Sequence, residues 1–139
     1  MIKSIHLTNF LSFQDCKIEL HPQENILIGI NGSGKSNLLK AINLLRRTIS
    51  PELKNFIYEW GGFDAIYFCG NQNEQTQDLI SIEYELDKDI ISDRFFSFKE
   101  SIFYKIIINR SFGASNFSIR EKIYEHSNTP NIPDSIYLD

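Results

Sequence analysis

Polar and apolar positions alternate at the start of the chain. Ile5 and Leu7 fall between Ser4, His6 and Thr8, and Cys16, Ile18 and Leu20 alternate with Lys17 and Glu19. A period of two predicts two strands within Ile2 to Leu20, turning at the corner Phe10-Leu11-Ser12-Phe13. His21-Pro22-Gln23-Glu24 then leads to Asn25-Ile26-Leu27-Ile28, a short apolar run that predicts a buried strand. Beyond it the period changes. Leu38, Ile42, Leu45 and Ile49 recur at helical spacing with Leu39 beside them, while Lys40, Asn43, Arg46 and Arg47 fall between, so an amphipathic helix is expected from Lys35. Ser50-Pro51-Glu52 has the chemistry of a second helix start, and Gly61-Gly62 that of its end.

From Ala65 onward the pattern is again that of strands. Ala65 to Cys69 predicts a short strand, and Gly70-Asn71-Gln72-Asn73 a turn. Ile80, Ile82, Tyr84 and Leu86 alternate with Ser81, Glu83 and Glu85, as in a half-exposed strand. Phe103 to Asn109 is a β-branched run, Arg110 to Asn116 a polar loop, and Phe117, Ile119, Glu121 and Ile123 share one face of a further strand. Asp87 to Glu100 reads equally as helix or loop. The stretch from His126, with Asn128, Pro130 and Pro133, is expected to be loosely ordered. The organisation expected is one lobe over 1–125 and a tail over 126–139, without internal repeats.

Between the apolar run and the first helix stands Gly29-Ile30-Asn31-Gly32-Ser33-Gly34-Lys35-Ser36, which matches G-x-x-x-x-G-K-[ST], the phosphate-binding P-loop. Each fixed residue has a mechanical role. The glycines let the backbone curl so that its N–H groups converge, and the helix start adds its own free N–H groups and partial positive charge. Lys35 is placed to reach the β- and γ-phosphates, and the Ser36 hydroxyl to take one position on Mg²⁺. The candidate nucleotide-binding residues are Gly29, Asn31, Gly32, Ser33, Gly34, Lys35, Ser36 and Asn37, with Ser36 also the candidate metal ligand.

Composition narrows the class. A chain of 139 residues holds one ordinary domain, and 42% hydrophobic with 23% charged residues describes a soluble globular protein. A net charge of −4 argues against a uniformly basic nucleic-acid-binding surface, though not against a local patch. Cys16 and Cys69 have no metal-ligand spacing and read as small buried hydrophobes in a reducing compartment. The first residues read as a strand rather than a signal peptide, and no apolar run approaches the ~18 residues of a membrane span, so a cytoplasmic protein without a membrane partner is expected.

The combination of Ile5-His6-Leu7-Thr8-Asn9-Phe10-Leu11-Ser12-Phe13, Asn25-Ile26-Leu27-Ile28-Gly29 and Asn31-Gly32-Ser33-Gly34-Lys35-Ser36-Asn37-Leu38-Leu39 resembles the amino-terminal lobe of ABC-type ATPases of the RecF, SMC and OLD kind. It is similar above all to the bacterial "AAA family" ATPases of that group. Gly61-Gly62-Phe63 and Ile119-Arg120-Glu121-Lys122-Ile123 extend the likeness more weakly. The resemblance implies an α/β P-loop NTPase fold with an antiparallel β-subdomain, ATP and Mg²⁺ as cofactors, and DNA as a partner of the complete assembly in repair, processing or phage defence. Leu11 stands where relatives often carry an arginine that helps hold the nucleotide. The family also needs four apolar residues leading into Asp-Glu, and a Ser-Gly-Gly signature helix. Neither is found, and Ser135-Ile136-Tyr137-Leu138-Asp139 is too short to supply the first. The carboxy-terminal lobe is therefore expected to be absent, no catalytic residue is assigned, and Mg-ATP is expected to bind weakly with little turnover.

Two other readings stay open. A P-loop small-molecule kinase or GTPase lacks support from an Asn-Lys-x-Asp motif, and the long β-segment does not suit a parallel core. A truncated, non-catalytic nucleotide-binding module needs no further motif. Among lesser candidates, Gln72, Gln75 and Gln77 read as a polar turn before a Mg²⁺-sensing role, and Glu121 and Glu125 as solvated strand residues before an acid pair. His6, His21 and His126 lack zinc spacing; Phe95, Phe96, Phe98, Phe103 and Tyr104 read as core or interface before base-stacking; Arg46 and Arg47 suit an exposed helix end as well as a DNA backbone.

Overall fold

Alternation along the strands resolves into a sheet with one apolar and one polar face. A computed structural model describes residues 1–48, 53–70, 78–88, 98, 100–111 and 116–125, and the backbone of 135–138. The strands are β1 (Ile2–Phe10), β2 (Phe13–Glu19), β3 (Leu79–Leu86), β4 (Ile102–Arg110), β5 (Phe117–Glu125) and β6 (Ser135–Leu138). The helices are α1 (Lys35–Arg47), α2 (Leu53–Glu59) and the single turn α3 (Phe63–Ile66). The six strands lie in the order β2-β1-β3-β4-β5-β6, and every neighbouring pair is antiparallel.

Register puts the apolar residues together. Leu7 pairs with Ile82 and Ile82 with Ile106, while Ile5 pairs with Tyr84 and Tyr84 with Tyr104. That face receives Leu38, Ala41 and Leu44 of α1 and Leu53 and Ile57 of α2, all in one buried cluster. The buried stripe of α1 is turned by about one residue from the expected one, with Ile42 and Leu45 only partly buried. The chain leaves α2 at the expected glycines, with the Gly61 N–H on the Tyr58 carbonyl and the Gly62 N–H on the Ile57 carbonyl, 2.9 and 3.0 Å. The helix start expected at Ser50-Pro51-Glu52 lies outside the described residues.

Tyr84 joins the two layers. Its ring is fully buried under α1, and its hydroxyl donates to the Ala41 carbonyl at 2.6 Å. Burial, with Tyr104 stacked beside it, pushes the Tyr84 phenol above the ordinary tyrosine range. The opposite face is polar, as an antiparallel sheet with one wet side requires. His6, Glu83, Lys105 and Lys122 form one cross-strand row there. Glu83 accepts from the Tyr124 hydroxyl at 2.5 Å and faces Lys105 at 3.2 Å. Burial alone would raise the Glu83 carboxyl, but the Tyr124 hydrogen bond and the Lys105 charge outweigh it and hold it below the usual carboxylate range.

Three expectations need correction. Asn25 to Ile28 does not form a strand, and Ile26 and Ile28 are 73% and 91% exposed. A strand buried on both faces needs paired neighbours and covering layers, and no described strand lies beside this one. Ala65 to Cys69 is not a strand either. Phe63–Ile66 forms α3 instead, with Asp64 in its first turn held by Arg110 at 2.6 Å, and only Tyr67 bridges to Phe10. Four residues of the expected loose tail, Ser135–Leu138, pair with β5 as β6; 126–134 lie outside the described residues, as does most of Asp87 to Glu100. Among the described residues no helix is long and apolar enough to cross a membrane.

Two measurements check this account. Tyr84→Phe removes the hydroxyl and leaves the Ala41 carbonyl buried with one partner fewer; urea unfolding should show a loss of about 1 kcal/mol. Glu83 titrates below its unfolded value near 4.5, so its contribution is present above that pH and is lost as pH falls through the lower folded value. Stability of Glu83→Gln should therefore fall less steeply with acid than that of the unaltered chain, and parallel acid limbs would contradict the assignment.

Candidate functional site

The P-loop residues meet at the start of α1. The Ser33 N–H closes a turn on the Ile30 carbonyl at 3.2 Å, and Gly34 takes a left-handed conformation, φ 90° and ψ 0°, as the helix N-cap. Gly34 has no side chain with which to cap, so the first-turn N–H groups of α1 face out of the helix start. The first backbone hydrogen bond there runs from the Leu38 N–H to the Gly34 carbonyl, 3.0 Å. Asn31, Gly32, Ser33, Gly34, Lys35, Ser36 and Asn37 line a shallow cavity of about 190 Å³ with no carboxylate among them. Gly29 takes part through its carbonyl.

Lys35 folds back over the loop. Its ammonium donates to the Gly29 carbonyl at 2.6 Å, the Ile30 carbonyl at 2.8 Å and Ser33 Oγ at 3.2 Å. No acid stands in the first turn of α1, while Arg46 and Arg47 occupy the last, the polarity that the helix dipole favours for an anion at the start.

The corner between β1 and β2 supports the loop from behind. Asn9 and Leu11 adopt φ of 52° and 50°, in the left-handed region that L side chains seldom enter. Tertiary bonds hold them: Asn9 Nδ2 donates to the Leu79 carbonyl at 3.0 Å, and the Leu11 N–H to the Ile66 carbonyl at 2.7 Å. The corner then sets Ser12 against α1, where Asn37 Nδ2 donates to Ser12 Oγ at 3.1 Å. A Cβ on Gly34 would lie 2.8 Å from Ser12 Oγ and 3.2 Å from the Phe13 ring. Leu11 packs on the core and does not line the cavity.

The other candidates do not join this site. Glu121 and Glu125 belong to β5, where Glu125 accepts from the Glu100 N–H at 2.5 Å. His6 pairs with Asp15 at 2.6 Å, and His21 lies in a turn where its N–H donates to Asn25 Oδ1. Among the described residues no group of three His, Cys, Asp or Glu side chains is placed to hold a metal. Phe103 stacks on Tyr124, and Tyr104 lies in the core. Gln72, Gln75, Gln77, Phe95, Phe96 and His126 lie outside the described residues. Cys69 is exposed and Cys16 half-buried, which corrects their reading as buried hydrophobes.

One feature was not foreseen from sequence. A second cavity, of about 620 Å³, is lined by Lys40, Asn43, Arg46, Arg47, Phe56 and Trp60. Its signal was the coincidence of a polar stripe on the first helix with Phe56 on the second and Trp60 just past its end, at i, i+4.

An exposed P-loop motif opening a helix that packs on an antiparallel sheet defines a mixed α/β, P-loop-like fold. The sequence profile of the AAA ATPase domain family matches residues 1–138, and the chain belongs to that family. The DNA replication and repair protein RecF of Lactococcus lactis subsp. cremoris (strain MG1363) is 45% identical over 63 residues, covering 44% of this chain and 18% of RecF. RecF of Clostridium botulinum (strain Loch Maree / Type A3) is 49% identical over 41 residues, 30% of this chain and 11% of that protein. The chain thus spans less than a fifth of the length of these relatives. A solved structure from work on ATP-driven dimerization and DNA-stimulated activation of SMC ATPases shares the fold, with a TM-score of 0.60 at 20% identity over 86% of this chain and 68% of that one.

Gly32 and Gly34 separate strain from crowding. Both have positive φ, but a Cβ on Gly32 meets nothing within 4 Å. Gly32→Ala should cost about 1 kcal/mol of stability and Gly34→Ala about 2–3 kcal/mol, because only the latter must also displace Ser12 or Phe13. Equal losses in thermal unfolding would remove the corner from this account.

Proposed function

We propose that the chain is the amino-terminal, nucleotide-binding lobe of an ABC-type ATPase that acts in DNA repair, DNA processing or phage defence. Gly29, Asn31, Gly32, Ser33, Gly34, Lys35, Ser36 and Asn37 form its Mg-ATP cradle. The carrying observation is the uncapped start of α1, walled by Asn31 to Asn37 without a carboxylate and crossed by the Lys35 ammonium. These residues fit a polyphosphate with its cation: the first-turn N–H groups and Lys35 meet phosphate oxygens, and the Ser36 hydroxyl meets Mg²⁺. When bound, Mg-ATP supplies the transferable phosphoryl group.

The same geometry supports weak binding and little turnover. Lys35 must exchange two carbonyls and the Ser33 hydroxyl for phosphate oxygens, which offsets part of the gain. Among the described residues the cavity lining offers no carboxylate to polarise a water. A partner lobe is proposed at the apolar surface around the loop, where Ile26, Ile28, Ile30 and Leu39 are exposed. Its strands would pair with the segment Asn25 to Ile28 and its acids would complete the site.

Calorimetry with Mg-ATP, with phosphate release followed in the same samples, tests the reading. The unaltered chain should bind without sustained release, and Lys35→Ala should lose binding by at least about tenfold. Binding that is unchanged in Lys35→Ala would refute the cradle. Multiple turnovers abolished by Lys35→Ala would refute the dependence on a second lobe.

A further inference from the structure

The sheet ends on one side in a strand whose outer edge is open. β2 stands first in the strand order, with β1 on one flank, and among the described residues no strand pairs with the other flank. The Leu20 N–H donates to the Lys3 carbonyl at 2.7 Å, so Lys3 and Leu20 face each other as a hydrogen-bonded pair. Such pairs alternate along an antiparallel ladder, which makes Ile5 with Ile18 and Leu7 with Cys16 the next two. The backbone N–H and C=O groups of Asp15, Lys17 and Glu19 therefore point away from β1. Among the described residues no backbone group meets them.

The side chains add a pattern of sign. Asp15, Lys17 and Glu19 share the polar face, are all exposed, and read acid, base, acid. A lysine on an edge strand ordinarily keeps other strands away. Here its acidic neighbours make the strand complementary to itself. When two copies of β2 run antiparallel about a two-fold axis at Cys16, Asp15 of each faces Lys17 of the other, and the strands overlap over their whole length, Phe13–Glu19. Both are outward-pointing residues, so each such pair also closes two backbone hydrogen bonds. Moving the axis by one residue sets Asp15 against Asp15 or Lys17 against Lys17. Moving it by two shortens the overlap to less than half of each strand. The opposite edge of the sheet, β6, is Ser135–Leu138 and carries no charged residue that could match this pattern.

We propose that the open edge of β2 is the interface for a second copy of this chain, which joins the six strands of each copy into one continuous antiparallel sheet. The proposal goes beyond the nucleotide reading and does not depend on it. Cys16, half-buried on the face it shares with Leu7, falls on the axis. Residues opposed there form a non-hydrogen-bonded pair, whose Cα atoms lie about 4.5 Å apart, within the span that a disulfide bridges. One short strand from each copy buries less than the ~1,000 Å² of a stable complex, so the dimer is weak and its population rises with protein concentration.

Cross-linking captures a weak dimer and reports its register. Cys69→Ser leaves Cys16 as the only cysteine of the 139-residue chain. Diamide, added without nucleotide, takes up the two electrons and two protons released as two Cys16 thiols join in a disulfide. A covalent dimer is expected on a non-reducing gel, in a yield that rises with protein concentration and falls in about 1 M salt. In that background Lys17→Asp alone, or Asp15→Lys alone, sets like charges opposite each other twice and should lower the yield about tenfold. The two substitutions together exchange the charges and should restore it. Asp15→Lys and the exchanged variant both lose the contact of Asp15 with His6, so recovery in the second isolates the charge between copies. Light scattering of the unaltered chain in reducing buffer should show its average mass rising toward that of a dimer as concentration increases.

Several results would overturn the proposal: no covalent dimer, a yield unmoved by Lys17→Asp, or no recovery in the exchanged variant. Equal cross-linking through Cys69 in a Cys16→Ser chain would reduce the disulfide to random collision. A cross-link formed only with Mg-ATP would place the contact at the P-loop instead. Masses that climb past the dimer would mean that copies join head to tail, β2 on β6.

Discussion

The hydrogen bond from Tyr84 to the Ala41 carbonyl links the middle of the sheet to the middle of α1. It exists because Ala41 is small: a larger side chain at this fully buried position would hold the helix away from the Tyr84 ring. Leu38 and Leu44 flank it on the same stripe and fix the rotation of the helix. A helix gripped at its centre, and met near its start by Ser12, has little freedom left to tilt. The P-loop is the segment immediately before that helix, so the placement of its N–H groups follows from packing ten or so ångströms away. The proposed phosphate recognition would thus be a property of the core as much as of the loop.

The two faces of the sheet divide the work. Its apolar side is covered by α1 and α2, and its polar side is organised by the row through His6, Glu83, Lys105 and Lys122. Arg110, at the end of β4, ties two connections to this frame through Asp64 and Asp78 while its guanidinium rests over Phe63. α1 has a comparable division between its ends, with an uncapped, acid-free start and a basic last turn.

Much of this was legible from sequence because the signals were local. Period-two alternation marks β1 and β3, the run from Lys35 marks α1, and the motif marks the loop. The strand expected at Asn25 to Ile28 was misread because its composition records what the segment would bury beside neighbours, and no described strand stands next to it. Ala65 to Cys69 forms no strand for a different reason: Phe63 to Tyr67 close a local helical turn, and the Arg110–Asp64 contact that holds it is tertiary and invisible to a local window. The basic aromatic cavity was hidden because its two halves sit on different helices, and each half alone looks like an ordinary helix surface.

The pairing of β1 with β3 has a consequence for how the chain assembles. β1 finds β2 across a two-residue corner, but its other neighbour is not made until residues 79–86 have been synthesised. The surface on which α1 rests is formed by β1, β3 and β4 together, so the first helix to be made is among the last elements to gain its seat. Until Tyr84 emerges, the glycine-rich loop has no fixed helix to start. The proposed nucleotide cradle, encoded in the first third of the chain, is completed only by residues translated long after it.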